Sequence, residues 1–166
     1  MDKLLFHKLN SLFEPGGNYL DYEGLPVIFH KNLGASDIEI ASFITHESLN
    51  LPDEYLDLLR QFNGFSLFGY EDLGGFQFLG TAEIIEENKL EKEIYGEDWD
   101  ESVVVFCKLI CDGDFIGFRF YHDGSYSILD CFHEASPNEW QVISVSFGAF
   151  LEKLIAEKGK RFWLEA

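Results

Sequence analysis

The chain has 166 residues, 30 acidic against 12 basic side chains and a formal charge of −18, a length that suits one domain able to bury its own core. Hydrophobic residues make up 46% and aromatic residues 16%, too much apolar surface for a disordered acidic tail. So negative a chain, with no cluster of Lys and Arg to offset it, repels phosphate backbones and anionic lipid, which argues against direct nucleic-acid binding and against a membrane partner.

Residues 1–35 are the least patterned part. A short apolar stretch, the turn-prone Glu14-Pro15-Gly16-Gly17-Asn18 and then Leu25-Pro26-Val27-Ile28-Phe29 suggest an N-terminal extension with one helix and one strand. Ser36 followed by Glu39 reads as a capping box opening a helix over 37–47, with Ile40, Phe43 and Ile44 on one face. Pro52 suits the first position of a second helix, Asp53 and Glu54 sit at its positive dipole end, and Tyr55, Leu58, Leu59 and Phe62 form one stripe. Asn63-Gly64 supplies a left-handed residue to stop it.

The hydrophobic period then changes from helical to alternating. Phe65 to Phe68 and Phe76 to Leu79 read as strands around a Gly-rich loop, and Thr81 can cap a third helix carrying Ile84 and Ile85. Ser102–Ile110, Phe115–Tyr121 and Ser125–Phe132 are joined by Asp112-Gly113 and by His122-Asp123-Gly124. Asp-Gly between two such runs is a strong hairpin signal, so a three-stranded antiparallel meander is expected. A last helix, capped by Ser144 or Ser146, carries Phe147, Phe150, Leu151, Leu154 and Ile155 on one face. The expectation is a single α+β domain: an antiparallel β-sheet packed by N-terminal helices and a C-terminal helix.

The chain has no run of about 18 apolar residues that would span a bilayer, and its start lacks the pattern of a signal peptide. Three cysteines, Cys107, Cys111 and Cys131, are an odd number in a chain too large to need disulfides, which suits a reducing compartment. The expected location is therefore cytoplasmic.

These cysteines, with His122 and His133, form the one cluster resembling metal ligands, and its spacing opposes the idea. Residues four apart on a strand lie about 13 Å from each other, too far to share one zinc. Asp130, Cys131 and His133 fail as a nucleophile and base for a related reason: successive strand residues point to opposite faces, so Cys131 and His133 share a face that Asp130 does not. No Gly-rich phosphate loop occurs. No catalytic residue, metal or cofactor is expected.

Charge is the remaining signal, and it is regional. Residues 37–101 hold 17 acidic and 3 basic side chains, and residues 83–101 alone hold nine acidic and two basic. Glu86, Glu87, Glu91, Glu93, Glu97, Asp98, Asp100 and Glu101 surround Trp99, a large aromatic inside an anionic field. With Glu71 and Asp72 they are the candidate partner-binding residues, and their sign calls for a basic protein partner. The blander alternative is a solvated helix face with Trp99 tucked into the core.

The segment Ser36–Gly64, with its capped helix followed by Leu51-Pro52-x-x-Tyr55-x-x-Leu58-Leu59-x-x-x-Asn63-Gly64, resembles the signature of the SUKH superfamily. This superfamily includes fungal cell-wall-synthesis regulators and bacterial immunity proteins. The Asp-Gly meander and the closing helix introduced by Ser146-Phe147 extend the resemblance to about Lys158, while Phe65 stands where many members have a second Gly. The resemblance implies a SUKH-like domain over 36–166 preceded by an extension over 1–35. It also implies a non-catalytic protein-binding module, most readily an immunity protein that neutralises a cognate polymorphic toxin, a nuclease being one such toxin. The alternative it leaves open is a regulatory or scaffolding domain of the cell-wall-synthesis-regulator type. A nuclease toxin needs a basic surface to hold its substrate, and a strongly acidic inhibitor would be steered to that surface.

Overall fold

In a computed structural model of the chain, which describes residues 2–47, 51–70, 74–110 and 112–165, the two Asp-Gly turns form as the sequence predicts. Gly113 and Gly124 adopt φ of 79° and 83°, a region open to glycine at no steric cost. They join β5 (Val103–Leu109), β6 (Phe115–Phe120) and β7 (Tyr126–Cys131) into an antiparallel meander. The sheet extends on both sides. Toward the N-terminus lie β1 (Tyr19–Leu20), β2 (Pro26–Lys31), β3 (Phe65–Gly69) and β4 (Phe76–Phe78), and beyond β7 lies β8 (Gln141–Ser144). Among the described residues the eight strands follow sequence order across the sheet, and every neighbouring pair is antiparallel.

Among the described residues five helices accompany this sheet: α1 (Lys3–Leu12), α2 (Asp37–Glu47), α3 (Asp53–Gln61), α4 (Thr81–Tyr95) and α5 (Phe147–Ala156). The capping box at α2 closes: the Ser36 amide and hydroxyl donate to Glu39 Oε2 at 2.8 and 2.7 Å, and the Glu39 amide donates to Ser36 Oγ at 3.2 Å. Ser146, rather than Ser144, caps α5, accepting from the Ala149 amide at 3.3 Å. Pro52 is the residue before α3 rather than its first, which leaves Asp53 and Glu54 in the first turn. Ile40 and Phe43 are buried, but Ile44 is 44% exposed, so the inward stripe of α2 is narrower than the sequence spacing suggests.

Alternation along the strands sorts the apolar residues into two clusters. Val104, Phe106, Ile116, Phe118 and Ile128 join the helices in the main core, while Val103, Val105, Phe115, Leu129 and Cys131 form a smaller cluster closed by Trp140. Tyr55 stands at the centre of the main core. Its ring meets Phe106, Phe118 and Phe147 edge-on at 5.3, 5.7 and 5.2 Å, and its buried hydroxyl lies 2.9 and 3.0 Å from the Leu79 and Phe106 carbonyls, to which it donates. Residues before Ser36 share this core: Leu5 and Leu9 of α1 are buried in it and β2 pairs with β3.

Gly80, not Thr81, caps α4. The Glu83 carboxylate accepts from the Gly80 amide at 2.8 Å, and the Thr81 amide donates to Asn63 Oδ1 at 2.8 Å. Thr81 cannot cap because it already lies inside the helix. The Asn63-Gly64 turn therefore ends α3 and starts α4, and Gly64, at φ 92°, permits the reversal between the two tasks.

Candidate functional site

The acidic run falls on α4, on the 3-10 turn Gly96–Asp98 and on the segment entering β5. What positions α4 is Asn88. Strand β4 ends at Phe78, opposite Cys107, and leaves the next stretch of the β5 edge without a strand partner. The Asn88 carboxamide fills that place, accepting from the Val105 amide at 2.8 Å and donating to the Val105 carbonyl at 2.9 Å. With Ile84 also buried, the helix is fixed along one side.

The opposite side is open. Glu86 and Glu93 are exposed, as are Leu90 at 48% and Ile94 at 64%. Residues four apart on a helix are neighbours, so Glu86, Leu90 and Ile94 form a continuous outer ridge beside Glu93. The turn that follows adds exposed Glu97 and Asp98. Among the described residues none of these four carboxylates makes an ion pair. Leu90 and Ile94 are not singled out by the sequence.

Other members of the run are used internally. Glu87 pairs with Lys108 at 2.7 Å, Glu101 pairs with Lys92, and Asp100 pairs with Arg119 at 3.1 Å. Burial opposes the charge on Asp100, yet the Ser102 hydroxyl and amide and the Arg119 guanidinium hold its carboxyl below the usual range. Glu91 goes the other way: burial, then the neighbouring Glu87, pushes its carboxyl up against the opposing pull of Lys108. Glu71 and Asp72 lie outside the described residues.

Trp99 is half-buried. Its ring centre lies 6.2 Å from that of Tyr95 and 6.1 Å from that of Trp140, and together the three cover the smaller apolar cluster. It also lines a cleft of about 480 Å³ between α4 and β5, with Ile85, Asn88, Lys89, Lys92, Glu101 and Val103. One side of Trp99 therefore packs inward, and another borders this cleft. A second cleft, of about 520 Å³, lies at the other end of β5, between Tyr70, Phe68 and the Lys158–Arg161 segment.

Among the described residues the cysteine and histidine candidates do not assemble. Cys107 belongs to the main core and Cys131 to the smaller cluster, and burial pushes both thiols well above their ordinary range. Cys111 lies outside the described residues. His133 Nδ1 is 2.7 Å from the buried Asp114 carboxylate, which Arg161 also approaches at 3.5 Å. Among the described residues no group of three or more His, Cys, Asp or Glu is placed to hold a metal ion, and no helix is long and apolar enough to cross a membrane.

The family model described as SMI1 / KNR4 family (SUKH-1) matches residues 34–153, a span that begins just before the α2 capping box and ends inside α5. The chain belongs to that family. Family membership supports a protein-binding role of the immunity or regulatory kind, and SUKH domains are in general non-catalytic. The family signature residues seen in the sequence have structural tasks here: Tyr55 and Leu59 are core, and Asn63-Gly64 is the α3–α4 hinge. No curated protein matches the chain.

Proposed function

We propose that this SUKH protein is an immunity protein that neutralises a basic toxin domain by binding it, and that the outer ridge of α4 with the turn after it is the contact face. The observation that carries this reading is the group Glu86, Glu93, Glu97 and Asp98, which have no ion-pair partner among the described residues and surround exposed Leu90 and Ile94. A carboxylate field speeds the approach of a basic partner, while apolar side chains at its centre supply short-range affinity. Trp99, Glu91, Asp100 and Glu101 border this face, with Glu87 beside them, and Glu71 and Asp72 are proposed contact residues on their charge alone. On this reading the protein works in the cytoplasm, touches no nucleic acid itself and uses no cofactor. A toxin that handles nucleic acid is the natural target, because it must carry a basic surface.

The test is binding to, and co-expression rescue from, the toxin domain encoded beside this gene. The wild-type chain should bind it and restore growth. Reversing Glu86, Glu93 and Glu97 to Lys together should impair both, and full rescue with unchanged kinetics would overturn the assignment of the face.

A further inference from the structure

The two edges of the sheet differ. At one end β1 is two residues long and is followed by Asp21, while β2 beneath it begins with Pro26 and ends with Lys31. Short strands, proline and lysine are the usual guards against a second chain adding to a sheet edge. At the other end β8, itself four residues long, carries neither proline nor lysine. No charged residue occurs between Glu139 and Glu152, in a chain of which 25% is charged. Among the described strands β8 pairs with β7 alone, and Val142 and Val145 beside that edge are 52% and 78% exposed.

From this asymmetry we propose that β8 is a self-association edge, and that two copies of this chain pair through it antiparallel about a two-fold axis to continue one sheet across both. An isologous contact needs a surface complementary to itself. An uncharged strand meets that condition, because neither copy brings a like charge against the other. The strong negative charge is no obstacle at this place. The acidic helix α4 lies along β5, and seven strand spacings of about 4.8 Å would separate β5 from its mate, about 34 Å in all. That is several Debye lengths at physiological salt, about 8 Å each. The two α4 ridges would remain uncovered, so self-association and partner binding use different surfaces. Four residues of edge make a small interface, so the pairing is expected in the micromolar range rather than the nanomolar.

Sedimentation equilibrium on the whole chain tests this. Wild type should approach twice 19.1 kDa as its concentration rises to about 100 μM, ten times a dissociation constant of about 10 μM. Hydrogen exchange across Gln141–Ser144 should slow over the same range. Val142→Lys, and separately Gln141→Lys, should sediment as single chains with an unchanged circular dichroism spectrum and without the concentration-dependent protection. Gln141 is exposed, so its replacement keeps the test decisive if Val142→Lys perturbs folding. A wild type that stays at 19.1 kDa throughout would overturn the proposal, as would a dimer that folded lysine variants leave intact.

Discussion

Asn88 does the work of a strand: its carboxamide closes a two-bond bridge with the amide and carbonyl of Val105, at 2.8 and 2.9 Å. The bridge begins where β4 has run out, and it ties the acidic helix to the middle of the sheet. Asn88→Ala removes both partners and strands a buried N–H and C=O. At about 1–3 kcal/mol for each unmet group, the expected loss is about 2–6 kcal/mol, read as a lower denaturant midpoint. Asn88→Asp keeps the acceptor and loses the donor, so the Val105 carbonyl is left unmet beside a carboxylate. It should be no milder than alanine. A midpoint unchanged in both variants would show that α4 is held by something else.

The helical stripe of α3 offers a simpler check. Leu59 is 2% exposed and Tyr55 is 1% exposed, and both face the main core. Leu59→Ala should cost about 2–5 kcal/mol by the usual large-to-small penalty. Tyr55→Phe keeps the ring contacts with Phe106, Phe118 and Phe147 but removes the one donor shared by two buried carbonyls, for an expected loss of about 1–3 kcal/mol. Chemical denaturation of the two variants side by side separates lost packing from a lost hydrogen bond.

These cases mark what the sequence can reveal. The α2 capping box, the Tyr55 stripe and both Asp-Gly hairpins are legible because each is a local rule: a fixed spacing between two residue types decides the geometry. Asn88 is not, since a lone Asn in an acidic helix looks like any solvated polar residue until the early end of β4 is known. The same applies to Asn63, whose side chain caps a helix beginning 18 residues later. The acidic run is legible as composition, but its division into paired Glu87, Asp100 and Glu101 and unpaired Glu86, Glu93, Glu97 and Asp98 depends on Lys108, Arg119 and Lys92 arriving from other positions. The edge strand β8 is not legible, because Gln141–Ser144 is only four residues long and too short to show a period, even with the turn-prone Ser136-Pro137-Asn138 just before it.

His133 supplies a prediction about pH. Its hydrogen bond to Asp114 favours the imidazolium and raises its pKa above the ordinary 6.5. The folded state therefore holds this proton more tightly than the unfolded chain. The stability it contributes is complete below about 6.5 and fades as pH rises through the raised value. Because the ring is exposed to water, the contribution to folding should be small, and the titration itself is the better readout. A proton NMR titration should place the His133 midpoint above the ordinary 6.5, and Asp114→Asn should lower it. A His133 midpoint that Asp114→Asn leaves unmoved would contradict the contact.

The last prediction separates the two tasks assigned to the acidic face. Replacing Glu86, Glu93 and Glu97 by Lys moves the formal charge from −18 to −12 without touching an internal ion pair. If the carboxylates steer a basic partner, association should slow by about tenfold or more and lose much of its salt dependence, while dissociation changes less. Leu90→Ala and Ile94→Ala remove no charge, so they should leave the on-rate alone and speed dissociation, at a cost of about 1–2 kcal/mol each if they lie at the contact. Trp99→Ala is the diagnostic case. Its ring packs on Tyr95 and Trp140 over the smaller core, so it should lower thermal stability whether or not the partner touches it. Only a faster dissociation in a variant that is still folded would place Trp99 in the interface. Stopped-flow or surface-binding kinetics at several ionic strengths, run with a melting curve for each variant, read all of these at once. Unchanged kinetics in the charge-reversal and both aliphatic variants would move the binding face away from α4.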